Sequence, residues 1–184
     1  MLQDGRNSLP LRGGRLRKGR ASVTVYSVAS TLLRFRKSWK AYVIQSAVGG
    51  LTTFLILLVL SLENAVVIAA LGASAFIVFG RPFDLTARAR NVTGGHMIGF
   101  AVGSLCALLP QVSTIATIGW YALSVGLSIF LMVVFYLQHP PAAATALGVA
   151  MRGSSEETFI AIVTITAVLA VAHYLLKPHL RNLF

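Results

Sequence analysis

The sequence predicts an all-α, polytopic helical membrane protein of about six helical segments, two of them short or half-length, in the order of a 3+3 inverted repeat. Three observations predict this. The 184 residues are 56% hydrophobic and only 11% charged, with a mean hydropathy of +0.77, whereas soluble domains carry about 25% charged residues. From Asn91 to Met151 there are 61 consecutive residues without Lys, Arg, Asp or Glu, and a spanning helix needs only about 20 apolar residues. The apolar runs also come in the order long, short, medium, then long, short, long.

The net charge of +11 is not spread evenly. Residues 1–40 hold ten Lys/Arg and one acid, or +9, and the other 144 hold six basic and four acidic groups, or +2. A basic arm can serve nucleic acid, but beside a membrane span it is a cytoplasmic topology signal, and no nucleic-acid partner is expected. Residues 1–22 read as an arm with too little apolar surface to join a core. Their Arg-rich, acid-poor character also resembles an organelle transit peptide, so retention in the mature protein is left open. Leu32, Leu33, Phe35 and Trp39 alternate with Arg34, Arg36, Lys37 and Lys40, the pattern of an interfacial helix on anionic lipid. The chain thus divides into a basic cytoplasmic arm with interfacial helix (1–40), a transmembrane domain (41–176) and a short basic tail (177–184).

The first span is expected over Ala41–Leu62, flanked by Trp39 and Tyr42 as interfacial aromatics. The second run, Ala65–Gly80, is stopped by Arg81-Pro82. At ~1.5 Å per residue it reaches ~24 Å, short of a ~30 Å hydrocarbon core. A polar loop is expected from Phe83 to Thr93. The third run, Gly94–Leu109, ends at Pro110, and its Gly95, Gly99 and Gly103 recur every four residues, lining one face for close helix approach. The fourth run is Ile115–Leu137, the fifth the short Pro141–Met151, the sixth Thr158–Leu176. Each short piece is rich in small residues and followed by an arginine, Arg81 or Arg152. Paired short segments at matching positions of two halves, 41–109 and 115–176, point to a transporter site. With six crossings, the arm, Arg81, Arg88, Arg90, Lys177 and Arg181 share the cytoplasmic side, and only Arg152 is misplaced. A re-entrant 141–151 would instead give five.

Gln138-His139-Pro140-Pro141 carries the chemistry. Consecutive prolines break a helix. His139, preceding a proline, is driven out of helical geometry, and Pro141 suits the first position of a new helix. Free N–H groups at Ala142, Ala143 and Ala144 are then expected to face a cavity and receive an anion. His139 adds a charge or a proton, with a reference pKa of about 6.5; the alternative is a hydrogen-bonded structural histidine at a turn. In Arg90-Asn91-Val92-Thr93-Gly94-Gly95-His96, Arg90 and His96 are expected to bracket an anion as entrance charges. The plainer alternative is a loop capped by Thr93. Ser74, in Gly72-Ala73-Ser74-Ala75, and Thr145 are either ligand donors or packing residues. His173 is read as an interhelical hydrogen bond and Cys106, the single cysteine, as a small core residue. No nucleotide-binding loop, paired carboxylates, zinc-protease motif or nucleophile elbow occurs; no enzyme, catalytic residue, metal or cofactor is expected.

His139-Pro140-Pro141-Ala142-Ala143-Ala144-Thr145-Ala146-Leu147 resembles the signature of the HPP family of integral membrane proteins. Leu71-Gly72-Ala73-Ser74-Ala75 resembles its small-residue motif and Arg90–His96 its loop-to-helix motif. The likeness runs from about Trp39 to Leu176. Position 73 is Ala where the family often has proline, and no CBS-type segment is read in these residues. The resemblance implies four or more spans and, from plant and cyanobacterial members associated with nitrite, transport of a small anion. The expected function is therefore a permease or channel-like protein moving a small anion such as nitrite, passively or with protons, in a bacterial inner (plasma) membrane with the N-terminus cytoplasmic. Its substrate-binding residues would be His139, Pro140, Pro141, Ala142, Thr145, Ser74, Arg90, Asn91, Gly94, Gly95 and His96. The rival is a non-transporting scaffold or sensor whose basic arm binds a partner or lipid. An unpaired His139 in a polar cavity favours the permease, and a packed, dry one the scaffold. The partners are the bilayer, with anionic lipid at the arm, and the anion; a homo-oligomer is left open.

Overall fold

The computed structural model describes residues 28–59 and 65–184, with side chains described at 36–54 and 68–184; residues 1–27, where most of the basic arm falls, lie outside the described residues. Among the described residues six α-helices follow one another: α1 Val28–Val59, α2 Ala65–Gly80, α3 Ala89–Ala107, α4 Thr114–Val134, α5 Pro141–Arg152 and α6 Glu156–Leu176. Single 3-10 turns lie at Leu85–Ala87 and Lys177–His179. The described residues are all-helical, as the apolar runs predict.

Local chemistry explains the boundaries. Ser113 and Ser155 are extended and cap α4 and α6, accepting from Ala116 N at 3.2 Å and Thr158 N at 3.1 Å. Glu156 and Glu157 occupy the first turn of α6, where the helix dipole favours negative charge. Pro141 starts α5 at the position where a missing N–H costs nothing. Three expectations are corrected. The separate interfacial helix over 32–40 and the span from Ala41 are one helix, since no Pro or Gly interrupts 28–48. Helix α3 begins at Ala89, not Gly94, so Arg90, Asn91 and Thr93 are helical and the cap is Arg88. Helix α4 stops at Val134, three residues early. There Tyr136 takes φ 55° while Leu137 N bonds Met132 O at 2.8 Å. That closure normally uses glycine. Here it turns Leu137, Gln138 and His139 back into the bundle, with local strain on the order of 1 kcal/mol.

Helices Thr114–Val134 and Glu156–His179 are long and apolar enough to cross a membrane, and only 17% and 28% of their apolar windows are buried. A soluble core helix would be mostly covered; here Ile118, Ile129, Phe130, Ile160, Val171 and Leu175 face outward, as lipid-facing residues do.

The ends of the bundle sort by charge. Gln45 of α1 donates to Phe79 O and Arg181 O at 2.6 and 2.9 Å, Leu183 N bonds Gly80 O, and Arg181 reaches Ser38 O. The start of α1, the end of α2 and the chain after α6 therefore meet at one end. Asn91 donates to Gln138 O and Arg90 to Phe135 O, which brings the start of α3, the end of α4 and the start of α5 to that same end through the Pro82–Ala87 loop. The six helices alternate in direction. Lys40, Arg81, Arg88, Arg90, Lys177 and Arg181 mark this end, while Arg152, Glu156 and Glu157 mark the other among the described residues. The positive-inside rule makes the first end the one expected to be cytoplasmic. Single cysteines at positions 7 and 182 are expected to label from the same, cytoplasmic, side in membrane vesicles. Labelling from opposite sides would refute six alternating crossings.

The packing supports a repeat. Among the described residues the helix pairs in contact, strong or weak, are α1–α2, α4–α5, α3–α4, α1–α6, α3–α5, α2–α6, α2–α5 and α3–α6. Exchanging α1, α2, α3 for α4, α5, α6 returns the same set. Because α1 and α4 run in opposite directions, the exchange is an inverted one. The two halves are unequal in detail. α3–α5 is the most extensive contact and α2–α6 among the smallest.

Candidate functional site

Three segments distant in sequence converge on one hydroxyl. Ser74 Oγ lies 2.9 Å from His96 Nε2 and 2.9 Å from His139 Nε2, and also 2.8 Å from Ala70 O on its own helix. His96 Nδ1 is 2.8 Å from Thr145 Oγ1, and His139 Nδ1 is 2.8 Å from Thr86 O. The two imidazole rings are 5.1 Å apart, tilted by 56°. Ser74, His139 and Thr145 are 0% exposed and His96 2%. Each residue is placed by a different element: Ser74 by α2, His96 by α3, Thr145 by α5, Thr86 by the 3-10 turn, and His139 by the reversal after α4.

The glycines of α3 make this convergence possible. A Cβ at Gly95 would sit 2.8 Å from His139 Cβ, one at Gly99 would overlap the Ala142 carbonyl oxygen, and one at Gly103 would meet Ala146 O at 2.5 Å. The four-residue glycine face thus lies on α5, backbone against backbone, as its spacing predicts. Gly94 leaves room for the Leu137 side chain, whose Cδ1 lies 2.8 Å from where a Cβ would stand. Asn91, buried, anchors the segment before His139 through Gln138 O at 3.2 Å.

The repeat is written into the centre. Ser74 lies seven residues before Arg81 and Thr145 seven before Arg152, within Ala73-Ser74-Ala75 and Ala144-Thr145-Ala146. The His96 ring bridges these two matched hydroxyls, one on each short helix.

Several expected roles are corrected. His96 is not an entrance charge beside Arg90: it is buried in the centre, two turns into α3. Arg90 is exposed and its guanidinium is held at Phe135 O, 3.3 Å away. The N–H groups of Ala142 and Ala143 are not free for an anion, because they donate to His139 O and Pro140 O at 2.9 and 3.1 Å. Pro141 and Ala142 are buried and Pro140 is exposed. His139 is fully hydrogen-bonded and sealed, where the permease expectation was an unpaired ring in a polar cavity. A cavity of about 300 Å³ does adjoin it, lined by Ile129, Met132, Val133, Gln138, His139, Pro140 and Ala143. Its walls are largely apolar, and Gln138 Oε1 is a buried acceptor without a partner. His173 donates from Nε2 to Pro82 O at 2.8 Å, the hydrogen-bonding role expected of it, though to a loop carbonyl. Cys106 packs with Val102 and Ala150 in the core.

The HPP transmembrane-region family model matches residues 34–181. The chain is also similar to two transmembrane proteins of Dictyostelium discoideum: one 38% identical over 88 residues, covering 48% of this chain and 31% of the relative, the other 33% identical over 106 residues, covering 53% and 34%. The chain therefore spans about a third of the length of these curated relatives. No solved structure matches it. With its three motifs converging on one buried centre and the match covering most of its length, the chain belongs to the HPP family of transmembrane proteins.

Proposed function

We propose that the chain is a permease moving a small anion such as nitrite, with the Ser74-bridged histidine pair as its working centre. The observation that carries this reading is the pair itself: two imidazoles held together inside a membrane bundle at the junction of the two short helices. Ionisable side chains within membrane helices are costly and mark ion or proton pathways. Short helices at matching places of an inverted repeat mark transporter sites. The family resemblance supplies the anion class. The reading is non-enzymatic and places the protein in an inner (plasma) membrane, with the N-terminus cytoplasmic and anionic lipid at the basic arm.

The sealed packing of His139 favours a second reading, a scaffold or sensor without flux. A static bundle and an occluded transporter both close around their centre, so only transport separates them. Purified full chain in liposomes is to be given a panel of small anions, nitrite among them, against protein-free liposomes. The pH must stand well above that of nitrous acid ionisation, so that the neutral acid does not cross unaided. Anion flux above the protein-free rate is expected. No flux for any anion would leave the scaffold.

A further inference from the structure

The Ser74 hydroxyl has fewer protons than neighbours to share them with. Thr86 O and Ala70 O are carbonyls and can only accept. His139 Nδ1 therefore carries a proton, donated to Thr86 O. Ser74 Oγ has one proton of its own and three neighbours within hydrogen-bond distance: Ala70 O, His96 Nε2 and His139 Nε2.

With both rings neutral, only one arrangement pairs every ring nitrogen, and it makes four of the five contacts hydrogen bonds. Ser74 donates to His139 Nε2, His96 donates from Nε2 to Ser74 Oγ, and Thr145 donates to His96 Nδ1. The Ser74–Ala70 contact is then left without a hydrogen. One further proton changes the arrangement. Placed on His139 Nε2, it is donated to Ser74 Oγ, the Ser74 hydroxyl turns to Ala70 O, and all five contacts become hydrogen bonds at once. Placed on His96, it leaves the Ala70 contact unmade. A second proton would set two imidazolium rings with centroids 5.1 Å apart, and like charges at that range disfavour joint ionisation.

We propose that this centre is a one-proton binding site, loaded at His139 Nε2 and switched by rotation of the Ser74 hydroxyl between His139 and Ala70 O. On the permease reading, on which this second step rests, that proton travels with the anion. The step is balanced: one proton enters, His139 becomes imidazolium, and the hydroxyl proton of Ser74 changes acceptor without leaving oxygen. The surroundings suit a proton more than a metal or a fixed ion pair. Among the described residues no third His, Cys, Asp or Glu joins the pair. The titratable and charged groups on the packed elements are engaged elsewhere or stand at the bundle ends. Asp84 caps the 3-10 turn and pairs with Arg81 at 3.3 Å. Arg90 of α3 is held at Phe135 O and His173 of α6 at Pro82 O. Arg88 and Lys177 lie at the positive end, and Arg152 of α5 at the other. The cavity beside His139 offers one unpaired acceptor, Gln138 Oε1, and an acceptor oxygen suits a hydrogen-bond donor rather than an anion.

Two measurements on the full chain test this. The first is nitrogen-15 NMR of the histidine rings in lipid nanodiscs. His139 Nδ1 is expected to stay protonated at every pH, and Nε2 to gain a proton on acidification while His96 stays neutral. In Ser74→Ala the charged-to-neutral ratio of His139, read at the parent's half-titration pH, is expected to fall about tenfold, because a hydrogen bond to a charged group is stronger than one to its neutral form. A His139 that never gains the second proton, or an unchanged ratio in Ser74→Ala, overturns the site. The second uses liposomes enclosing a pH dye, driven by a nitrite gradient. One proton is expected to move with each anion, and Ser74→Ala is expected to lower that coupled proton movement about tenfold. Nitrite flux without proton movement overturns the coupling and leaves the permease standing. A normal NMR titration with no flux of any anion in the panel overturns the permease and leaves the proton site.

Discussion

Gly99→Ala is expected to destabilise the protein more than any other single added methyl group. The new Cβ overlaps the carbonyl oxygen of Ala142 on α5, and a backbone atom cannot rotate away as a side chain can. Helices α3 and α5 must separate along their whole contact, and His96 and Thr145 part with them. A cost of about 3 kcal/mol, the upper part of the usual over-packing range, is expected. Gly119→Ala is the control, since nothing lies within 4 Å of its Cβ position; in that helix interior alanine is favoured by about 0.5–1 kcal/mol. Thermal unfolding of the two variants in the same detergent is expected to show a large fall for position 99 and none for 119. Equal melting temperatures would mean that α3 and α5 do not meet along the glycine face.

His139→Ala is expected to abolish flux while also weakening the fold. Loss of the ring leaves Thr86 O without its donor, at a cost of about 1–3 kcal/mol, and opens a void between α2 and α3. The transport effect can be separated from the stability effect by pH. If the loaded centre is the competent form, parent flux falls as pH rises, because rising pH removes the proton from His139. His139→Gln keeps one hydrogen bond but cannot carry that proton, so its residual flux is expected to be independent of pH. Pro141→Ala is expected to do less harm, because the first turn of α5 is held by His139 O and Pro140 O. A folded, monodisperse His139→Ala with undiminished flux would remove the residue from the mechanism. A purely structural histidine would instead give loss of folding with no pH effect at a fixed anion species.

Punctuation by proline made two helices legible before their structure was seen. Arg81-Pro82 and Pro140-Pro141 bound α2 and α5 where expected. The glycine face was legible because a four-residue period is local. The start of α3 was not, because Arg90-Asn91-Val92-Thr93 is polar and reads as loop. It is helical because Asn91 is buried against the chain before His139, a partner 47 residues away. Distance in sequence also hid the centre. His96 and His139 each sit in a motif that reads alone as an entrance or a helix start, and Ser74 in a small-residue cluster reads as packing. Only the convergence of α2, α3 and α5 turns three motifs into one network. The matching offsets of Ser74 and Thr145 from their arginines were a signal in the sequence that could have paired them.

The unequal seams of the inverted repeat set where the bundle can give. Along the glycine face of α3, at Gly99 and Gly103, backbone rests on the backbone of α5, and a backbone contact cannot re-rotate, so that seam behaves as a clamp. Its counterpart between α2 and α6 is thin, and α6 has no glycine from Glu156 to Leu176. It meets its neighbours through side chains such as Ile165 and Leu169 packed near Leu71, Ala75 and Val78. Such interdigitated side chains can slide by changing rotamers, which is the way shear motions proceed. Strain on this bundle is expected to be relieved along the α2–α6 diagonal before the α3–α5 one.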